Sequence, residues 1–251
     1  MIKKITGFVP NLITLLNLCA GTLAVIFAID GELGWAGLFI CVAALFDFFD
    51  GFAARLLKAY SAIGKELDSL ADVISFGVAP GMILFTLLEY SLLGMNQPIQ
   101  QIELKWYLWF VLFSAFLIPA FSALRLAKFN IDTRQTRNFL GLPTPANALL
   151  WASFGLMLEF QQHTELMRLL FTTKNLLFIM LVTSFLLVSE LPMFSLKFSG
   201  LSFSDNWHRY FFLAASLLLL LFLNVYGLPL VIFLYIAASV VFYLLKIPID
   251  G

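Results

Sequence analysis

The sequence predicts an all-α integral membrane protein, a bundle of about eight transmembrane helices with both termini on the cytoplasmic side. Three observations predict it. The hydrophobic set makes up 61% of the 251 residues and charged residues only 12%, against roughly 25% charged in an ordinary soluble domain. Apolar runs of about 20 residues, the length that crosses the hydrocarbon core, recur along the chain. Lys and Arg are unevenly distributed about those runs, as they are when basic residues are held on the cytoplasmic side.

The spans fall at residues 8–29, 34–57, 68–93, 105–127, 144–161, 174–193, 209–226 and 228–245. The first follows Met-Ile-Lys-Lys, which would suit a signal peptide, but no small-residue cleavage site follows the run, so it is kept as a helix. The last two are separated only by Gly227, with Pro229 close behind, a pattern that fits a tight helical hairpin or a re-entrant pair. With the N-terminus inside, Lys3, Lys4, Arg55, Lys58, Lys65, Arg125, Lys128, Arg134, Arg137, Lys197, Arg209 and Lys246 fall on the cytoplasmic side; Lys105, Arg168 and Lys174 fall outside. Net charge is zero, which gives no support to a nucleic-acid partner. Cys19 and Cys41 lie in apolar runs without CxxC or His-rich company and read as packing residues. His163 and His208 read as loop residues without a catalytic role.

Charge inside a spanning segment is costly and marks a functional site facing the bundle interior or a water-filled cavity. The second span ends with Asp47, Asp50, Gly51, Ala54 and Arg55, and the third begins with Gly64, Asp68 and Asp72. Spacings of three and four residues put each aspartate pair on one helix face. If Arg55 marks the cytoplasmic boundary, a rise of about 1.5 Å per residue sets Asp50 roughly 7 Å and Asp47 roughly 12 Å deeper. The third span enters from the same side after a short loop, so the four carboxylates converge near the cytoplasmic surface. Like charges in a low-dielectric site resist joint ionisation unless cations neutralise them. Magnesium and manganese are hard ions that prefer oxygen ligands, and two of them about 3.5–4 Å apart can clamp a phosphoryl group. Gly51, Ala53 and Ala54 leave a thin surface for a nucleotide or another backbone.

These residues resemble the signature of the CDP-alcohol phosphatidyltransferases, D-x2-D-G-x2-A-R-x8-G-x3-D-x3-D. Asp47, Asp50, Gly51, Ala54, Arg55, Gly64, Asp68 and Asp72 meet its eight fixed positions in order. The resemblance implies that the four aspartates ligate two divalent cations, Mg2+ or Mn2+, that Gly51, Ala54, Arg55 and Gly64 line the CDP site, and that Asp72 is also the general base. It implies a homodimer as well. Three further stretches resemble the membrane-embedded phosphatidylserine synthase branch: residues 10–17, 125–130 and 141–146, with 189–193 reading similarly. That branch implies CDP-diacylglycerol and L-serine as substrates, phosphatidylserine and CMP as products, and an inner or plasma membrane location with the site facing the cytoplasm. One transmembrane domain is expected over 1–251, with a catalytic six-helix core at 1–193 and an additional helix pair at 194–251.

Asn11, Thr14 and Asn17 share a face of the first helix near the cytoplasmic end, where they either reach the nucleotide or hold helices together. Asn11 and Thr14 join the candidate nucleotide-binding set. Arg125 and Asn130 are the candidate acceptor-binding residues, since a guanidinium can fork onto a serine carboxylate. A phosphorylated acceptor, glycerol 3-phosphate or an inositol phosphate, is the alternative, with Arg125, Lys128, Arg134 and Arg137 as its cations. From other classes, a cation-coupled transporter would also use intramembrane aspartates, and a non-catalytic lipid-binding scaffold would bind without turnover.

Overall fold

The computed structural model describes residues 2–132, 139–160, 165–194 and 203–245. Arg134, Arg137, His163, Lys197 and Lys246, all weighed above, lie outside the described residues, as do the side chains of Lys3 and Lys4.

The described chain is helical. Helix α1 is Ile2–Ile29 and α2 is Leu33–Leu56; α3, Ala62–Val73, runs through a π turn, Ile74–Val78, into α4, Ala79–Leu93. Helices α5, Trp106–Phe113, and α6, Leu117–Ile131, are joined by a 3-10 turn. Then come α7, Thr144–Phe160, the short α8, Glu165–Leu170, and α9, Thr173–Val188. Helices α10, Phe203–Leu223, and α11, Gly227–Leu244, follow. The one strand pairing among the described residues is a two-residue antiparallel one, Phe139 with Met193 and Leu140 with Pro192. It ties the chain entering α7 to the chain leaving α9.

Among the described residues, five helical stretches are long and apolar enough to cross a membrane: Phe8–Ile29, Leu33–Leu56, Ala62–Leu93, Trp106–Ile131 and Asn206–Leu244, with Thr173–Val188 a shorter apolar helix. The last of the five, at about 1.5 Å per residue, would reach nearly twice the thickness of a hydrocarbon core of about 30 Å. It does not run straight. A 3-10 turn at Asn224–Tyr226, with Asn224 at φ 49°, breaks it, and α10 packs against α11. This is the tight hairpin that the Gly227 and Pro229 pattern allowed. Large apolar side chains such as Leu45, Phe48, Phe110, Phe178, Phe185 and Leu221 are exposed along the outer faces, a surface that suits acyl chains and not water.

Small residues set the packing where helices meet. Ala20, Ala24 and Ala28 on α1 and Ala36, Ile40 and Ala43 on α2 recur every three or four residues and are buried, so the two backbones approach closely as an antiparallel hairpin. Helix α1 also approaches the π turn closely. A Cβ on Gly21 would stand 2.3 Å from Ser75 Oγ and 2.7 Å from Ser75 Cα, so only glycine fits. There Ser75 Oγ donates to the Asn17 carbonyl at 3.1 Å. Beneath, Phe76, Ile83, Leu84, Leu87, Leu88, Trp151 and Phe154 form a fully buried apolar core.

Two readings made from the sequence need correction. His208 is not a loop residue: it lies within α10, is 2% exposed, and sits edge-on to Phe194 and Phe242. Helix α10 begins before the apolar run because Asn206 and Arg209, one turn apart, satisfy each other through Arg209 Nη1 and Asn206 Oδ1, both buried. Cys19 is not packed in the interior but exposed on α1, while Cys41 is half-buried.

Gly21→Ala is expected to cost about 1–3 kcal/mol by overpacking and to lower the unfolding temperature of the detergent-solubilised protein. An unchanged transition would mean that α1 and the π turn do not meet this closely.

Candidate active site

The site is assembled by the connection between α2 and α3. Helix α2 ends at a Schellman turn: Lys58 takes a left-handed conformation at φ 50°, Lys58 N–H donates to Arg55 O and Ala59 N–H to Ala54 O, which satisfies the last carbonyls of the helix. Three residues later Ser61 caps α3, its Oγ accepting from Gly64 N–H at 2.9 Å, a contact of the kind worth about 1 kcal/mol. The chain therefore reverses over Leu57–Ser61, and the aspartate-bearing turns of the two helices are held side by side.

Asp47, Asp50 and Asp68 each bring a carboxylate oxygen within 4.8 Å of the other two, Asp50 buried and its neighbours half-buried. Hard oxygen donors at this separation can hold a divalent cation. Asp72 lies outside that triplet, one turn deeper, and is 7% exposed. Helix α1 binds both groups. Thr14 Oγ1 donates to Asp50 Oδ2 at 2.7 Å, with the Pro10 carbonyl at 3.1 Å as a second acceptor for the same proton. Asn17 Nδ2 donates to Asp72 Oδ1 at 3.3 Å, while Asn17 Oδ1 is buried without a hydrogen-bond partner among the described residues. The two readings offered for this face resolve in part: Thr14 and Asn17 orient the acids by holding helices together.

Beside the triplet lies a cleft of about 210 Å³ whose lining includes Asn11, Thr14, Asp50, Gly51, Ala54, Gly64 and Asp68. Asn11 lies over Gly64, where a Cβ would stand 2.9 Å from Asn11 Oδ1. Arg55 is exposed and folds back along its own helix, its Nη1 3.4 Å from where a Gly51 Cβ would be. Five of the six residues expected around a nucleotide thus line one cleft, with Arg55 at its edge.

The two expected acceptor residues part company. Arg125, on α6, is 6% exposed, stacks at 4.9 Å on Phe129, and lies within electrostatic range of Asp72 and of Tyr235 on α11. Its Nε is buried with no hydrogen-bond partner among the described residues. It opens onto a second, smaller pocket. Asn130 does not line that pocket. Its Nδ2 donates to Ser69 Oγ at 2.8 Å, and its carbonyl accepts from Lys65 Nζ at 3.2 Å, so it fastens α6 to α3.

Sequence reasoning passed over Asp132 and Glu190, which line the Arg125 pocket, and Tyr235, whose hydroxyl donates to the Phe194 carbonyl at 3.1 Å. Glu190 stood inside the 189–193 stretch without a role, and Asp132 two residues beyond the 125–130 stretch. Another cavity, of about 750 Å³, is at the other end of the bundle and includes Tyr90, Glu159 and Arg168 in its lining. It contains no residue of the signature.

A helical bundle with paired intramembrane aspartates beside a nucleotide-sized cleft is the architecture of a membrane-embedded group-transfer enzyme. Residues 7–186 match the family model described as CDP-alcohol phosphatidyltransferase, and the chain belongs to that family. Among its relatives, an archaetidylserine synthase of Methanothermobacter thermautotrophicus is 36% identical over 61% of this chain and 61% of its own length. A protein of Bacillus subtilis named CDP-diacylglycerol--serine O-phosphatidyltransferase is 36% identical over 55% of this chain and 70% of its own. One of the same name from Mycobacterium bovis is 32% identical over 95% of this chain and 76% of its own. The chain thus spans about three fifths of the first of these relatives and about three quarters of the last.

Thr14→Val is expected to weaken Mn2+ binding by about 10- to 100-fold, the usual effect of removing a group that orients a metal ligand. Titration of the purified protein with Mn2+, followed by electron paramagnetic resonance, measures this. An unchanged titration would separate the Thr14–Asp50 contact from any cation site.

Proposed function

We propose that the protein transfers the phosphatidyl group of CDP-diacylglycerol to the hydroxyl of L-serine, releasing phosphatidylserine and CMP. The observation that carries this is the junction of three elements at one end of the bundle: the aspartate triplet, the 210 Å³ cleft, and a buried arginine beside Asp72. Family membership and the printed names of the relatives support the reaction class and the acceptor.

Asp47, Asp50 and Asp68, together with Asp72, are the residues that would hold two divalent cations, Mg2+ or Mn2+. When bound, such ions supply charge neutralisation to the pyrophosphate and to the oxygens entering and leaving phosphorus. The cleft receives the nucleotide, with Asn11, Thr14, Gly51, Ala54 and Gly64 in its wall and Arg55 at its mouth. Asp72, oriented by Asn17, accepts the serine hydroxyl proton. The serine oxygen forms a bond to the phosphorus that carries diacylglycerol, and the bond from that phosphorus to the CMP oxygen breaks, the electron pair leaving with CMP. Arg125 holds the serine carboxylate in a fork. Asn130 braces α6 against α3 and so sets where Arg125 stands. Positioning and electrostatics of this kind provide most of the catalysis in phosphoryl chemistry.

The bias of twelve basic residues against three supports a multi-pass protein of the cell (inner) membrane with this end facing the cytoplasm. Serine and CMP then exchange with water while the acyl chains remain in lipid. Residues 1–193 form the catalytic core in this reading, 194–251 add a helix pair, and the family resemblance supports a homodimer. A cation-coupled transporter finds no support in the family to which the chain belongs.

Asp72→Asn is expected to lower CMP release by about 10²- to 10⁴-fold, the range for loss of a general base, while the protein still inserts and still binds CDP-diacylglycerol. Wild-type turnover in that variant would refute the assigned base. Purified protein given CDP-diacylglycerol and Mn2+ with serine, glycerol 3-phosphate or inositol phosphate in turn is expected to form labelled lipid from serine. Exclusive use of a phosphorylated alcohol would remove serine.

A further inference from the structure

We propose that the cavity at the end of the bundle away from the aspartates binds a zwitterionic phospholipid, with Glu159 taking its ammonium group and Arg168 its phosphate. The site shares no residue with the aspartate cleft or with the Arg125 pocket, and it stands apart from the transfer reaction and its acceptor. The cavity measures about 750 Å³, within the roughly 300–1,000 Å³ of sites that enclose a small ligand.

Its walls are set by close packing. A Cβ on Gly34 would stand 2.4 Å from Glu159 Cβ, and one on Gly155 2.3 Å from the Leu33 carbonyl oxygen. The start of α2 and the end of α7 therefore meet with no room to shift, and Glu159 is held in place by that contact. Helix α8 forms another wall. Phe171, just beyond it, sits edge-on to Phe154 at 5.7 Å, and Asn175 Nδ2 donates to the Leu169 carbonyl at 2.7 Å. These contacts tie α8 to the core and to α9, and so place Arg168. Glu159 and Arg168 are exposed while Leu87, which lines the same cavity, is buried. Charge thus lies at the mouth and apolar side chains lie within.

The surroundings point to a lipid. Trp35 near the start of α2 and Trp106 and Tyr107 at the start of α5 are exposed at this same end, and aromatic rings that carry a polar atom mark the level of lipid headgroups. Phe160 and Leu169, next in sequence to the two charges, are exposed as well. A ligand that enters at this level and covers an apolar interior needs acyl chains together with a polar head. The charges then choose the head. Among the described residues Glu159 has no hydrogen bond or ion pair. Arg168 bonds Glu165 at 2.9 Å, both side chains largely exposed, a pair that contributes little, and a guanidinium has five donors to share with a phosphate. Tyr90, on the α4 wall, lies within electrostatic range of Glu32 and Glu89. Carboxylates around the cavity outnumber its cation, so a head with an ammonium group is accepted and one with negative charge alone is repelled.

The test is native mass spectrometry of the purified full chain, released from detergent with phosphatidylethanolamine and phosphatidylglycerol of the same acyl chains. Wild type is expected to hold one phosphatidylethanolamine about 10-fold more tightly than phosphatidylglycerol, the size of one charge-assisted hydrogen bond, and to keep it when excess CDP-diacylglycerol is added. Glu159→Lys is expected to reverse the preference, a gain that only a folded cavity can give. Arg168→Gln is expected to weaken both lipids by a similar factor, since both carry a phosphate. Equal retention of the two lipids by wild type overturns the proposal, as do variants that behave as wild type does. Displacement by CDP-diacylglycerol would put the lipid in the aspartate cleft, and displacement by equimolar phosphoethanolamine, which has the head without the chains, would make the ligand a soluble amine; either result also overturns it.

Discussion

Everything at the aspartate-bearing end of this bundle depends on holding four carboxylates together where they repel one another. Separation in sequence cannot relieve that, because Asp47 and Asp50 on α2 face Asp68 and Asp72 on α3 across a reversal of five residues. The structure meets the difficulty by fixing the backbone first. A Schellman turn ends α2 and the Ser61 hydroxyl caps α3, each satisfying main-chain groups that need partners near an apolar environment in any case. The acids are then held where the turns place them, and neutralisation by hard cations becomes the natural use of the arrangement.

Helix α1 supplies the second half of the solution. One face of it presents Thr14 to Asp50 and Asn17 to Asp72, so a single rigid element gives a hydrogen-bond donor to one acid of each pair. Its register is fixed by the close approach of Gly21 to Ser75 and by the bond from Ser75 to the Asn17 carbonyl. The π turn that carries Ser75 begins two residues after Asp72. Widened turns of this kind recur at functional sites because they re-aim side chains without breaking a helix. Here the widened turn faces α1 and sets the depth of the innermost acid.

Much of this was legible in the residues alone. Helical spans announce themselves by length and hydropathy, and the aspartate spacing alone puts each pair on one face of its helix. The turn at Asn224–Tyr226 was legible in part, since Gly227 and Pro229 mark a break between two apolar runs but fit a re-entrant pair as well as a hairpin. What was not legible depends on tertiary neighbours. Periodicity marks Cys19 as apolar without saying whether it meets protein or lipid, because in a bilayer both environments select the same residues. His208 read as a loop residue and Arg209 as a cytoplasmic-side cation, yet both are buried, His208 against Phe194 and Phe242 and Arg209 on Asn206. Asn130 has the chemistry of an acceptor ligand, but the hydroxyl that takes its amide proton lies 61 residues away on α3. Asp132 and Glu190 lie 58 residues apart in sequence, and only the pairing of 139–140 with 192–193 brings their neighbourhoods together.

Arg125 shows why the C-terminal hairpin matters to a site that it does not otherwise touch. A guanidinium at 6% exposure needs compensation for the water it has lost. Part comes from the Phe129 ring beneath it, and part from Asp72 and Tyr235 within electrostatic range. Tyr235 is itself fixed, its hydroxyl on the Phe194 carbonyl and its ring 5.0 Å from the Phe194 ring. Helix α11 therefore shields the arginine from lipid without saturating it. Among the described residues the compensation is incomplete at Nε, and that incompleteness is what leaves the guanidinium able to bind. Had α11 brought an acid there instead of a phenol, the cation would have been fully paired in the free protein, and an incoming carboxylate would have had to displace a buried ion pair to reach it.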